Sequence, residues 1–134
     1  MSATALPADL HALRAQIELD FDARATLDAS QVEALRPRVE RVMSLLESGI
    51  VRVAEPGSEG WVVNQWLKKA VLLYFRCNDM RVMEAGAPGP FWDKVPTRFE
   101  GFGEAEFRAL GSRVVPGAVV RRGSYLGIEV FVLV

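Results

Sequence analysis

The chain is predicted to be α+β: a small helical domain with a β-hairpin, followed by the start of a left-handed parallel β-helix. Three observations predict it. Apolar residues recur at helical spacing over the first half. A Pro/Gly-rich break lies between two β-prone stretches. Near the end, Val114, Val120, Leu126 and Val132 stand six apart, with Ala118, Ser124 and Val130 keeping the same period between them. Six residues make one flat face of a parallel β-helix coil, and hexapeptide repeats are its sequence signature. A coil cannot bury its interior without stacked neighbours. The chain reaches Val134 after barely one coil, so it reads as the front of a longer protein.

The first helix is expected around Leu6, Leu10, Leu13, Ile17 and Phe21, with Pro7 in its first turn. Ser30 and Glu33 have capping-box spacing, so a turn is expected from Ser30 to Arg36. Pro37 removes a donor and clashes with the preceding turn. A separate helix is therefore expected from Pro37 to Glu47, buried through Val39, Val42, Leu45 and Leu46 and stopped by Gly49. Ile50 to Ala54 alternates, Glu55 to Gly60 is turn-rich, and Trp61 to Val63 is β-prone, which together read as a hairpin with a loose loop. A helix should run from about Asn64 to Phe75, with Trp66, Leu67, Ala70, Val71 and Leu73 facing a core. Asn78-Asp79 signals a turn, and Met80 to Glu84 a short strand. Ala85 to Pro90 is a loop, Glu104 to Leu110 a short helix, and Gly111 ends it. The domains expected are 1–111 and 112–134.

At 134 residues the chain is long enough for one domain of ordinary size. Sixteen basic and seventeen acidic side chains leave a formal charge of −1. That balance argues against nucleic-acid and membrane-surface partners. It still leaves one or two local arginines to take an anionic ligand. Cys77 is the single cysteine, so no internal disulfide forms, and a reducing cytoplasm is the simplest location.

Most chemistry-bearing residues have a bland reading. His11, the one histidine, lies on the first helix and would need a positioned partner to act as a base. Cys77 lacks an activating neighbour and reads as a buried structural thiol. One histidine and one cysteine make no zinc cluster, and the aspartates lack calcium-loop spacing, so no metal is expected. Gly101-Phe102-Gly103 lacks the strand and third glycine of a phosphate loop. Lys68-Lys69 reads as a solvated helix face, with a cationic rim for an anion as the alternative. Arg113 stands where the first domain hands over to the coil. It reads either as a surface or interdomain residue, or as a fork that grips a carboxylate through two parallel hydrogen bonds.

Several long words follow one another. They are Leu45-Leu46-Glu47-Ser48-Gly49, Val51-Arg52-Val53-Ala54-Glu55 and Gln65-Trp66-Leu67-Lys68-Lys69-Ala70-Val71-Leu72-Leu73. Phe75-Arg76, Asp93-Lys94-Val95-Pro96 and Arg113-Val114-Val115-Pro116 come after. From about Leu35 to Leu126 this series resembles the amino-terminal part of the tetrahydrodipicolinate N-succinyltransferases, enzymes of diaminopimelate and lysine biosynthesis. The resemblance implies a homotrimer whose active sites lie between neighbouring left-handed β-helices. Succinyl-CoA would be the co-substrate, and no cofactor would be bound. The acceptor would be the dicarboxylate L-2-amino-6-oxopimelate. Arg113 matches the family arginine that binds the substrate. The family's acidic catalytic residues, and most of its CoA groove, lie on coils beyond residue 134, so no catalytic residue is assigned here and the chain alone is expected to be inactive. Gly127 to Val134 follows the family only loosely. Two other readings are a standalone domain that docks on a full-length enzyme or another partner, and a repurposed binder that keeps Arg113 for dicarboxylates.

Overall fold

A computed structural model describes residues 8–84, 90–128 and 130–132. They form two compact units, which part between Cys77 and Asn78.

The first unit is a three-helix core with a hairpin. Helix α1 is Ala8–Asp22 and buries Leu10, Leu13 and Ile17, the spacing expected of one helical face. Leu6 and Pro7 lie outside the described residues. Asp20 is also buried, and it is held rather than stranded. Arg38 donates to both of its carboxylate oxygens, Nε at 2.9 Å and Nη2 at 3.0 Å, and Gln16 adds a third bond at 3.2 Å. This bidentate fork ties α1 to the next helix.

Helix α2 is Ala29–Glu47, a single element where the sequence predicts a turn and then a helix. Two details correct the expectation. The capping box is Asp28 with Gln31, not Ser30 with Glu33. The Asp28 carboxylate accepts from the Gln31 backbone N–H at 2.9 Å, and the Gln31 side-chain oxygen accepts from the Asp28 N–H at 2.9 Å. Glu33 instead pairs with Arg36, whose hydrogen bonds hold the Glu33 carboxyl below its ordinary value. Pro37 sits inside the helix with its ring exposed. It costs about 3 kcal/mol there. One face of α2 buries Leu35, Val39, Val42, Met43 and Leu46. At about 1.5–3 kcal/mol for each buried side chain, that face outweighs the proline and keeps the helix continuous. Gly49, at φ 73°, follows the last turn as expected. Its N–H donates to the Leu46 carbonyl at 3.1 Å, and the Ile50 N–H donates to Leu45 at 3.1 Å, a Schellman closure.

That closure moves the hairpin. The N–H groups of Ile50 and Val51 both turn back to the Leu45 carbonyl, so neither can join a ladder. The strands are β1, Ala54–Gly57, and β2, Gly60–Val63, antiparallel, with a two-residue turn at Ser58-Glu59 in place of the loose loop expected. Pro56 lies inside β1. Asn64 N–H donates to the Val53 carbonyl at 2.8 Å, which fixes the ladder's alternation. Pro56 and its partner Trp61 then form a non-hydrogen-bonded pair, so the missing N–H leaves no gap. Helix α3, Gln65–Arg76, follows and buries Trp66, Leu67, Ala70, Leu73 and Tyr74 against α1 and α2.

In the second unit, β3 (Arg81–Met83) pairs antiparallel with β4 (Phe91–Asp93). Residues 85–89 of the loop expected between them lie outside the described residues. Helix α4 is Glu104–Leu110, and Gly111 ends it at φ 67°. Phe99, Phe102 and Phe107 pack with ring centroids 5.2 to 5.4 Å apart. The Glu106 carboxylate accepts from the Gly103 N–H at 2.9 Å. Its own backbone N–H and that of Gly103 hold it below the ordinary carboxylate value. A lowered folded value means the cap is intact above the unfolded pKa of about 4.3 and is lost as pH falls through the folded one. Protection of the Gly103 amide, its exchange rate taken relative to the intrinsic rate at each pH, is therefore expected to weaken in acid in the wild type. In Glu106→Gln that acid step should vanish.

The last strands are β5, Arg113–Val114, and β6, Phe131–Val132. They pair in parallel, Arg113 opposite Phe131 and Val114 opposite Val132, an offset of 18 residues. Between them two turns repeat six residues apart. Ala118 N–H donates to Val115 at 3.1 Å, and Ser124 N–H donates to Arg121 at 3.2 Å. Each turn carries a glycine third, Gly117 at φ 95° and Gly123 at φ 90°. A positive φ at that position is what a type II turn needs, and Pro116 pre-sets the position before Gly117. Val120 is buried, and Val114, Ala118, Ser124, Leu126, Val130 and Val132 are partly buried. Arg113, Val119 and Tyr125, also six apart, are exposed.

Candidate functional site

Arg113 is carried to an exposed position by the strand that holds it. Gly111 ends α4, and the Ser112 hydroxyl donates to the Gly127 carbonyl at 2.7 Å. Arg113 N–H donates to Val130 at 2.9 Å, and Val115 N–H donates to Val132 at 3.2 Å. The strand is pinned at both ends. Side chains alternate across a strand, so the half-buried Val114 and the exposed Arg113 face opposite ways. Arg113 lies within the second compact unit.

The same unit encloses a groove of about 490 Å³, which neither Arg113 nor the rest of this strand pair lines. Residues 81–84 form one wall and residues 117–120 the other. Arg81 crosses its rim to both carboxylate oxygens of Glu100, at 2.6 and 2.8 Å. Arg121 pairs with Asp93 at 2.6 Å, and Arg98 N–H donates to the Val120 carbonyl at 2.7 Å. These contacts hold residues 93–100 against residues 120–122. Sequence reasoning did not find the groove, because its two walls lie more than thirty residues apart and share no motif.

The other residues singled out from sequence are not brought together. His11 is exposed on α1. Cys77 is buried, and burial pushes its thiol up, which keeps it a poor nucleophile. Arg36 donates to the Cys77 backbone carbonyl. Lys68 is exposed, whereas Lys69 pairs with Glu18 and stands 5.3 Å from the Phe21 ring centre. Lys69 is thereby a packing residue of the first unit, and the rim reading loses one of its two cations. Among the described residues no cluster of His, Cys, Asp or Glu could hold a metal, and no helix is long and apolar enough to cross a membrane. What the arrangement offers chemically is a planar cation on a fixed strand, suited to a carboxylate.

Comparison with known proteins decides what the chain is similar to. The family model described as tetrahydrodipicolinate N-succinyltransferase N-terminal matches residues 12–77, ending where the first compact unit ends. The chain resembles the amino-terminal part of a tetrahydrodipicolinate N-succinyltransferase. The 2,3,4,5-tetrahydropyridine-2,6-dicarboxylate N-succinyltransferase of Xylella fastidiosa is 52% identical over 124 residues, 91% of this chain and 44% of the relative. That of Rhizobium rhizogenes is 53% identical over 128 residues, 94% of this chain and 44% of the relative. That of Methylorubrum extorquens is 53% identical over 116 residues, 85% of this chain and 41% of the relative. The chain thus spans less than half the length of the N-succinyltransferases it matches.

Proposed function

We propose that the chain supplies the helical domain and first coil of a tetrahydrodipicolinate N-succinyltransferase, with the domains meeting near residue 111. The likeness to the relatives over nine-tenths of the chain carries this reading. The parallel pairing at an 18-residue offset, with turns six residues apart, supports the coil as three hexapeptide faces of a left-handed β-helix. The enzyme would be a cytoplasmic homotrimer. Its reaction would move a succinyl group from the CoA sulfur to the amine of L-2-amino-6-oxopimelate. The amine attacks the thioester carbonyl, the carbon–sulfur bond breaks, and CoA leaves as the thiol after the amine gives up a proton. Such a site must align both partners and stabilise the oxyanion.

Within this chain Arg113 would hold a substrate carboxylate through its guanidinium fork. Charge-assisted hydrogen bonds of this kind contribute about 1.5–3 kcal/mol, or roughly ten- to a hundred-fold in affinity. The interaction would be equal in ground and transition states, so it belongs in KM rather than kcat. The test is a chimaera joining residues 1–126 to the remaining coils of the Xylella fastidiosa enzyme. Thiol release from succinyl-CoA with L-2-aminopimelate is the readout. The chimaera is expected to turn over, and the isolated chain is not. Arg113→Ala in the chimaera should raise the acceptor KM ten- to a hundred-fold with kcat nearly unchanged. Turnover by the isolated chain, or an unmoved KM, overturns the reading.

A further inference from the structure

The β1–β2 hairpin has two outer edges, and they differ in kind. Its register and the Asn64-to-Val53 hydrogen bond settle which backbone groups point outward. Glu55 with Val62 and Gly57 with Gly60 are the hydrogen-bonded pairs, so their N–H and C=O groups face inward. Ala54 and Pro56 face outward from β1, and Trp61 and Val63 face outward from β2. The β1 edge is guarded. Pro56 offers no N–H at its centre, and Glu55 stands beside it. Proline and charge are the devices by which edge strands avoid pairing. The β2 edge carries neither. It reads Gly60-Trp61-Val62-Val63, without a charge, and exposes Trp61 at 73% and Val62 and Val63 at 47% each. Among the described residues no hydrogen bond reaches the outward N–H of Trp61 or of Val63.

We infer that the β2 edge pairs with β2 of a second copy of this chain, antiparallel about a two-fold axis through Val62. The register follows from the outward groups. Trp61 would exchange both hydrogen bonds with Val63 of the second copy, and Val63 with its Trp61, which joins two hairpins into one four-stranded sheet. Trp61 and Val63 lie on the same face of the strand. Each copy then sets an aromatic ring opposite a β-branched side chain, a favourable cross-strand pair. An uncharged strand is suited to face itself, since no like charges meet. The contact is isologous, so it stands apart from the three-fold assembly proposed above and would link assemblies in twos. One short edge is far below the roughly 1,200 Å² of a stable interface, so the pairing is transient and needs high concentration.

The symmetry makes a direct test. Val62 would face Val62 of the second copy as a non-hydrogen-bonded pair, about 4.5 Å apart at Cα, within disulfide reach. Cys77 is buried and leaves the background clean. The full chain carrying Val62→Cys is oxidised with copper phenanthroline, and disulfide-linked dimer is followed on non-reducing gels. Ile50→Cys, exposed at 66% and off the strand, is the control. Val62→Cys is expected to cross-link at least ten times faster. Adding Val63→Pro should return it to the control rate, because that proline deletes an outward donor and leaves the hairpin's own ladder intact, as Pro56 does. Circular dichroism checks that this variant is folded. If it is not, Trp61→Lys, which leaves every backbone donor in place, should slow the cross-link instead. Equal rates for the two cysteines overturn the inference. So does fast cross-linking indifferent to Val63→Pro and Trp61→Lys, or a thiol at position 62 shielded from alkylation without any dimer, which would mean another partner covers the edge.

Discussion

Leu67→Ala is expected to lower the unfolding free energy by about 3 kcal/mol, within the roughly 2–5 kcal/mol range of large-to-small core changes. Leu67 has no exposed surface, and it lies on the face of α3 that packs against both α1 and α2. Truncation forfeits the transfer of three carbons from water and leaves a void in a core whose side chains on α1 and α2, Ile17 and Val42 among them, are themselves fully buried and have little slack to fill it. Leu72, five residues on and 56% exposed, is the control. Leu72→Ala should stay within about 0.5 kcal/mol. Urea unfolding followed by circular dichroism measures both, with the m-value held constant. A loss below about 1 kcal/mol for Leu67→Ala would mean α3 does not pack as described.

Pro37→Ala should act in the opposite direction. An interior proline costs a helix about 3 kcal/mol, through a lost N–H and a clash with the carbonyl four residues back, here that of Glu33. Alanine restores the bond and has the best helix propensity. It also loosens the unfolded chain, which offsets roughly 0.4–1 kcal/mol. The net gain is about 2 kcal/mol, which would raise the melting temperature by several degrees. Because the ring is exposed, no core packing is lost. A melting temperature unchanged or lowered by Pro37→Ala would show that the helix has already adapted to its proline.

The contrast between those two residues shows what could be read from sequence. Periodicity located the buried face of every long helix, since burial at positions such as Leu13, Val39 and Leu67 leaves a spacing that survives in the letters. Boundaries were harder, because they rest on single hydrogen bonds. Asp28 with Gln31 and Ser30 with Glu33 have the same spacing, and nothing local says which side chain turns inward. Pro37 argues for a break at short range, and only the summed burial of α2 overrules it. The alternation from Ile50 to Ala54 imitates a strand, yet the carbonyl of Leu45 takes the donors that strand would need. At the end of the chain the six-residue period was legible, but the exposure of Arg113 was not, since the letters left it open between a surface or interdomain residue and a carboxylate fork. The groove between residues 81–84 and 117–120 was not, since it exists only once distant segments meet. The bare edge of β2 was hidden for a different reason. Which way a backbone N–H points depends on register, and register is set by the turn.

The 18-residue step between β5 and β6 also bears on how such a chain folds. Parallel strands usually make slow partners, because their contacts lie far apart along the chain. Here the two meet after one circuit, so the entropy of closure is that of a short loop and grows only logarithmically with its length. Each further circuit at the same step would repeat that small search instead of enlarging it. A rod built on this step would lengthen coil by coil from β6, with every stage as local as the one before.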